Sequence, residues 1–270
     1  MRSFVLLLWL FALTACTDKR EGCLDIEATN FDASADKNCC CTYPKLIFKV
    51  APLFGTATWK PDTAYEYSAG KWFRLKQIVY YLSDFQLIKN GEVFTLSDTS
   101  TFSVWGSAGD TTSKILTNDF LLIRRTAETY PAGTFRTAGD FESVRFRVGI
   151  PPAAQEVIPD LAPGNHPLRL QPEGLWMGRD TGFAAMKLIF TRDTATTTVP
   201  DTLWIGRPDF DHLTVQGDGL FRHQSGYDFV LKLSADYREL FQGVDLSGGD
   251  ITSWKSQIVS NLPDALRVSQ

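Results

Sequence analysis

The sequence predicts an all-β fold, an antiparallel β-sandwich with long loops and one short C-terminal helix. Three observations predict it. Short runs rich in β-branched and aromatic residues recur along the chain, with Gly, Pro, Asp and Thr between them. Asn90-Gly91 separates two such runs, and a type I′ turn needs positive φ at both central residues, which Asn and Gly tolerate. Helical periodicity is confined to the last part of the chain. With 270 residues, 44% of them hydrophobic and 13% aromatic, there is ample apolar surface for a buried core.

The first sixteen residues stand apart from that domain. Arg2, an apolar run over residues 4–13 and then Leu13-Thr14-Ala15-Cys16 read as a signal peptide, because the run is short for a bilayer span but suits an h-region. Small residues before Cys16 resemble a bacterial lipobox, in which the Cys16 thiol is diacylated and becomes the new N-terminus. Residues 1–16 are then a lipoprotein leader, and the folded part stays aqueous behind its acyl anchor. An ordinary secretory leader with an incidental Cys16 is the alternative, and either way the chain is exported. The net charge of -4 comes from interspersed acids and bases, which excludes nucleic acid as the expected partner.

Residues 17–43 form a tether and a small module framed by Cys23, Cys39, Cys40 and Cys41, after which the chain has no cysteine. In an oxidising compartment Cys23 pairs with Cys41 or Cys40, and the remaining thiols are free, joined locally or bound to a soft metal. The module resembles Cys-framed, Asp/Asn-rich modules of secreted bacterial surface proteins. Asp32, Ser34, Asp36 and Asn38 recur at every second position and aim oxygens at one hard cation such as calcium, although the glycine and closing glutamate of an EF-hand are missing. A solvated Asp/Asn loop is the competing reading.

From residue 44 to 270 the texture is β. Strand-like runs fall at 46–50, 72–75, 78–82, 85–88, 93–96, 120–123, 144–148, 183–190, 203–205, 213–215 and 229–233. Residues 236–241 have room for one or two helical turns. Residues 251–262 read as an amphipathic helix stopped by Pro263. A long loop over residues 151–164 leads to the stretch richest in chemistry, residues 165–190, which holds His166, Trp176-Met177 and the turn Arg179-Asp180-Thr181-Gly182. Imidazole and thioether together suit copper, since softer ligands select softer ions. A loop histidine and a gap-filling methionine are the plain alternative.

Catalytic patterns are lacking. The chain has no Gly-x-Ser-x-Gly elbow, no His-Glu-x-x-His helix and no phosphate-cradling glycine loop, and the alternating pair Asp209 and Asp211 before His212 reads as a solvated face. The expectation is a protein that is not an enzyme.

The order of several blocks then resembles the MbnP-like copper-binding family. Tyr80-Tyr81-Leu82-Ser83-Asp84-Phe85-Gln86-Leu87 before Asn90-Gly91, the strand block from Phe146 to Pro151, Asn165-His166, the block from Gly174 to Phe183, and Phe221-Arg222-His223-Gln224-Ser225-Gly226 follow one another as that family's blocks do. The resemblance implies an exported β-sandwich, and for some members a copper site made of histidines and an oxidised tryptophan, formed with a dihaem partner enzyme of the cytochrome c peroxidase type. Carried over by position, it makes His166 and His223 the metal ligands. The family's two tryptophans of the W-x-W segment are replaced by Met177 and Arg179, and Trp176 stands where a tyrosine is expected. Met177 offers a soft thioether, whereas an inward Arg179 repels a cation. The reading is a lipid-anchored copper-binding or copper-handling protein of the outer membrane or periplasm of a Gram-negative bacterium, with His166, His223 and Met177 as ligands. The alternative is a metal-free surface module that binds carbohydrate or protein by stacking on Trp176, Trp105 and Trp204.

Overall fold

The structure is a computed structural model and describes residues 19–106, 109–124, 128–206, 214–248 and 250–270. The leader with Cys16, and Asp209, Asp211 and His212, lie outside the described residues. The first nine strands are β1 (Glu21–Gly22), β2 (Lys37–Asn38), β3 (Lys45–Phe54), β4 (Ala57–Thr58), β5 (Ala64–Ser68), β6 (Lys71–Lys89), β7 (Glu92–Thr95), β8 (Thr99–Trp105) and β9 (Thr111–Thr117). They are followed by β10 (Leu121–Ile123), β11 (Thr129–Thr134), β12 (Gly139–Val148), β13 (Met186–Thr191), β14 (Asp201–Ile205), β15 (Thr214–His223) and β16 (Phe229–Asp236). Helices α1 (Tyr237–Leu240) and α2 (Ile251–Ala265) precede the last strand, β17 (Leu266–Ser269).

Two sheets face each other, as expected of a sandwich. The larger has the order β14-β13-β6-β12-β15, with β5, β7 and β10 also paired to β6. The smaller has the order β11-β3-β16-β17, with β4 on β3. Most neighbours are antiparallel, but β16 runs parallel to β3 in register Phe229↔Leu46 to Asp236↔Leu53. No hairpin joins two strands so far apart in sequence, so nothing local forces the antiparallel sense.

Strand β6 is the spine, and the three separate runs expected over residues 72–88 are this one strand of 19 residues. Its side chains alternate as a strand with both faces buried must. Ile78, Tyr80 and Leu82 enter the core between the sheets, while Val79 and Tyr81 enter a second core on the outer face. At Asp84 the parity changes, so that Phe85 and Leu87 take over the inner positions. Asp84 has φ 53°, and the pairing with β12 shifts there. That is a β-bulge, where one extra residue re-phases every side chain beyond it. Asp119 holds the bulge by accepting the Phe85 N–H at 3.0 Å, and Arg147 pairs with Asp84 at 2.6 Å.

The Asn90-Gly91 turn forms as expected, with φ 53° and 76° joining β6 to β7. The β8–β9 hairpin was not signalled, because its runs are rich in Thr and Ser and only Phe102 and Val104 are fully buried in it. The run at 183–190 is strand only from Met186, since Phe183 instead packs into the second core against Trp176. Helix α2 does not stop before Pro263 but carries it inside, to Ala265. So near the C-terminal end the ring removes a single backbone bond, while Trp254, Ile258, Leu262 and Ala265 bury against the main core. Asp250 caps the helix by accepting the Ser253 N–H at 2.7 Å.

The cysteine module is docked onto the sandwich. Cys23 and Cys41 form a disulfide with Cα atoms 4.9 Å apart. Arg136 of the sandwich pairs with Asp25 at 2.6 Å and Glu27 at 2.9 Å, and its guanidinium lies 3.9 Å over the Tyr43 ring. No described helix is long and apolar enough to cross a membrane.

Candidate functional site

The loops after β12 cover the outer face of the large sheet and build the second core from Ile150, Ala154, Val157, Leu168, Leu175 and Phe183. His166 is placed by this core. The Tyr81 hydroxyl, reaching out from β6, donates to the Pro167 carbonyl at 3.0 Å and fixes the loop. The ring then lies between Phe102 and Phe120, with centroids 4.8 and 5.6 Å away. Its Nδ1 accepts the Leu168 N–H at 3.1 Å, so Nε2 is the protonated nitrogen and donates to Asn118 Oδ1 at 2.8 Å. Burial pushes the imidazole down to about 4, which keeps it neutral. The ring opens on a cavity of about 400 Å³ that Lys45, Asp98, Asn118, Tyr130 and Asn165 also line.

His223 has different surroundings. It ends β15, is almost fully buried, and stacks on Phe229 at 4.9 Å and 11° with Phe135 beside it. Nδ1 lies 2.8 Å from the Thr137 carbonyl and Nε2 lies 2.8 Å from the Tyr227 carbonyl. Carbonyl oxygens accept and do not donate, so a ring N–H can serve either of them, and a carbonyl oxygen stands directly in front of each nitrogen where an ion would have to displace it. The two histidines share no hydrogen-bond or ring partner among the described residues.

Met177 is 40% exposed, and its N–H closes a turn onto the Gly182 carbonyl at 2.9 Å. Neither Met177 nor His223 lines the His166 cavity. Arg179 lies 4.8 Å over the Trp105 ring. Lys187 covers Trp204 at 4.6 Å, and Trp176 packs against Phe183 at 4.8 Å. Each of these three tryptophans therefore has a neighbour on its ring and is only partly exposed, which makes a poor open platform for stacking a sugar.

In the module, the oxygens expected to converge on a cation are engaged with one another and with Arg20. Asp32 accepts from the Ser34 N–H and hydroxyl and pairs with Arg20 at 3.1 Å, Asp36 accepts the Arg20 N–H, and Asn38 accepts the Leu24 N–H. The Arg20 guanidinium supplies the positive charge there. Among the described residues no group of three or more His, Cys, Asp or Glu is arranged to hold a metal.

Sequence reasoning passed over Asp119 and Asn118. Asp119 is buried beside the bulge with one carboxylate oxygen unpartnered, and burial raises it to about 6 against the pull of the Phe85 N–H. Its only signal was a polar pair standing directly before the apolar run at Phe120.

The model of the MbnP family matches residues 43–256, most of the chain. The chain belongs to the MbnP family. Among solved structures it is similar to MbnP from Methylosinus trichosporium, at 14% identity over 77% of this chain and 81% of that chain, with a TM-score of 0.45. No curated protein matches. The MbnP match begins at Tyr43, so the cysteine module precedes it, while His166, Met177 and His223 all fall inside it.

Proposed function

We propose that this MbnP-family protein is a non-catalytic, lipid-anchored extracytoplasmic protein that binds or handles copper, with His166 as its first ligand. Membership of the family over residues 43–256 is the observation that carries the reading. Support from the site is a neutral imidazole beside a polar cavity, the form of histidine that binds metals. The described residues fit copper only in part. His166 brings one imidazole, whose Nε2 can take copper only by giving up the Asn118 bond and moving its proton to the nitrogen that now accepts from Leu168; at His223 a carbonyl faces each nitrogen, and Met177 faces solvent at a separate turn. The proposal extends to an acyl anchor on Cys16, to the outer membrane or periplasm of a Gram-negative bacterium, and to a dihaem peroxidase-type partner.

The test is the metal content of the full chain purified from its native envelope, with Cu(I) and Cu(II) titrations of wild type, His166→Ala and His223→Ala. Stoichiometric copper that disappears in His166→Ala is the expected result. No copper in the wild type, and no difference among the three proteins, overturns the copper reading. Acyl labelling lost in Cys16→Ala tests the anchor separately.

A further inference from the structure

The four cysteines of the module divide into a closed bridge, Cys23–Cys41, and an open pair, Cys39 and Cys40. The two free Sγ atoms are 2.7 Å apart. Nonbonded heavy atoms rest roughly 3.5–4.0 Å apart. Two thiolates on one zinc, each about 2.3 Å from the ion, stand about 3.8 Å apart. The observed gap is nearer to the ~2.05 Å of a disulfide bond than to either. The backbone fixes it from several sides. Cys40 has φ 57°, a left-handed conformation that is uncommon outside glycine. The Asn30 side chain donates to the Cys40 carbonyl at 2.7 Å, and the Cys39 N–H donates to the Gly22 carbonyl at 2.9 Å.

We propose that Cys39 and Cys40 close into a vicinal disulfide by exchange with an external disulfide of the glutathione class, leaving the module without a free thiol. Exposure assigns the roles. Cys40 is exposed and Cys39 is half-buried against Glu21, whose carboxylate lies 3.8 Å from its sulfur. The Cys40 thiolate attacks one sulfur of the external disulfide and expels the other as a thiol. The Cys39 thiolate then attacks the Cys40 sulfur of the mixed disulfide and expels the second thiol. Two protein thiols are oxidised, one external disulfide is reduced to two thiols, and the two protons pass to those leaving groups. The order agrees with the acidity of the pair. Sharing its proton with the Cys40 sulfur, burial and the nearby Cys40 and Glu21 charges push Cys39 up to about 11, so it makes the poorer first nucleophile. The closed pair offers no thiolate to a soft ion, which separates it from copper at His166.

The test is alkylation with iodoacetamide in denaturant and chelator, applied to the full chain purified without reductant and followed by peptide mass mapping. Cys39 and Cys40 should both be unalkylated, on a peptide joined through Cys41 to the Cys23 peptide and four hydrogen masses lighter in total than after reduction, two for each bridge. With Cys23→Ser and Cys41→Ser combined, both should remain unalkylated on a single peptide two hydrogen masses lighter than after reduction, and Cys40→Ser should leave Cys39 as an alkylated free thiol. Chain reduced and then given glutathione disulfide should close without retaining glutathione. Alkylation of both residues, a retained glutathione, or a bridge from either to Cys23, Cys41 or a second chain overturns the proposal. A dithiol that merely held a metal also ends as two alkylated cysteines, because the chelator strips the ion.

Discussion

His166 and His223 each lie among aromatic rings, but in different cores, and their hydrogen bonds have opposite character. His166, in the core outside the large sheet, receives an N–H from Leu168 and gives its one proton to the Asn118 side chain. His223, in the core between the sheets, faces two main-chain carbonyls. A side-chain acceptor can rotate away when an ion arrives, whereas carbonyls fixed by a sheet and its turn cannot. Aromatic packing therefore does not separate the two rings; the donors and acceptors around them do.

Mutation should separate the two rings most strongly. His223→Ala removes a stacked, buried ring and its hydrogen bonding to the main chain, and should lower unfolding free energy by about 3 kcal/mol in urea titrations. His166→Ala, at a half-buried site opening on a cavity, should lower it by about 1–2 kcal/mol. Equal losses, or a larger loss for His166→Ala, contradict the assignment of His223 as the structural member.

A smaller effect sharpens it by pH. His166 is depressed to about 4 from an ordinary 6.5, so its contribution is present above pH 6.5 and is lost as pH falls through 4. Asp119 is raised to about 6 from 3.8, so its contribution is present below pH 3.8 and is lost as pH rises through 6. Over pH 4–6 the two slopes oppose each other, each amounting to about 2 kcal/mol over the window. Urea midpoints of the wild type should then change little between pH 6.5 and 4.5. Asp119→Asn should lose stability on acidification and His166→Gln should gain it. Parallel curves for all three proteins would show that neither group carries the buried ionisation.

Much of the fold was legible because β alternation and turn chemistry act locally. The Asn90-Gly91 turn needed only two residues, and the buried runs of β3, β12 and β16 needed only period-two patterning. The continuity of β6 was hidden by Lys76-Gln77 and Ser83-Asp84, which look like breaks between strands but are places where the register shifts, the second a bulge held by Asp119 from a distant segment. The parallel pairing of β3 with β16 is equally non-local. In the site, residue type singled out His166 and His223 alike. What separates them, Asn118 and Leu168 against Thr137 and Tyr227, is set by tertiary contacts that no spacing reveals.

The most direct test of the account is a two-bond ¹H–¹⁵N correlation spectrum of the histidine ring nitrogens, recorded at neutral pH before and after one equivalent of Cu(I). The His166 resonances should change on copper addition while those of His223 hold their positions. Movement of the His223 nitrogens, or no movement at His166 with copper bound, would contradict it.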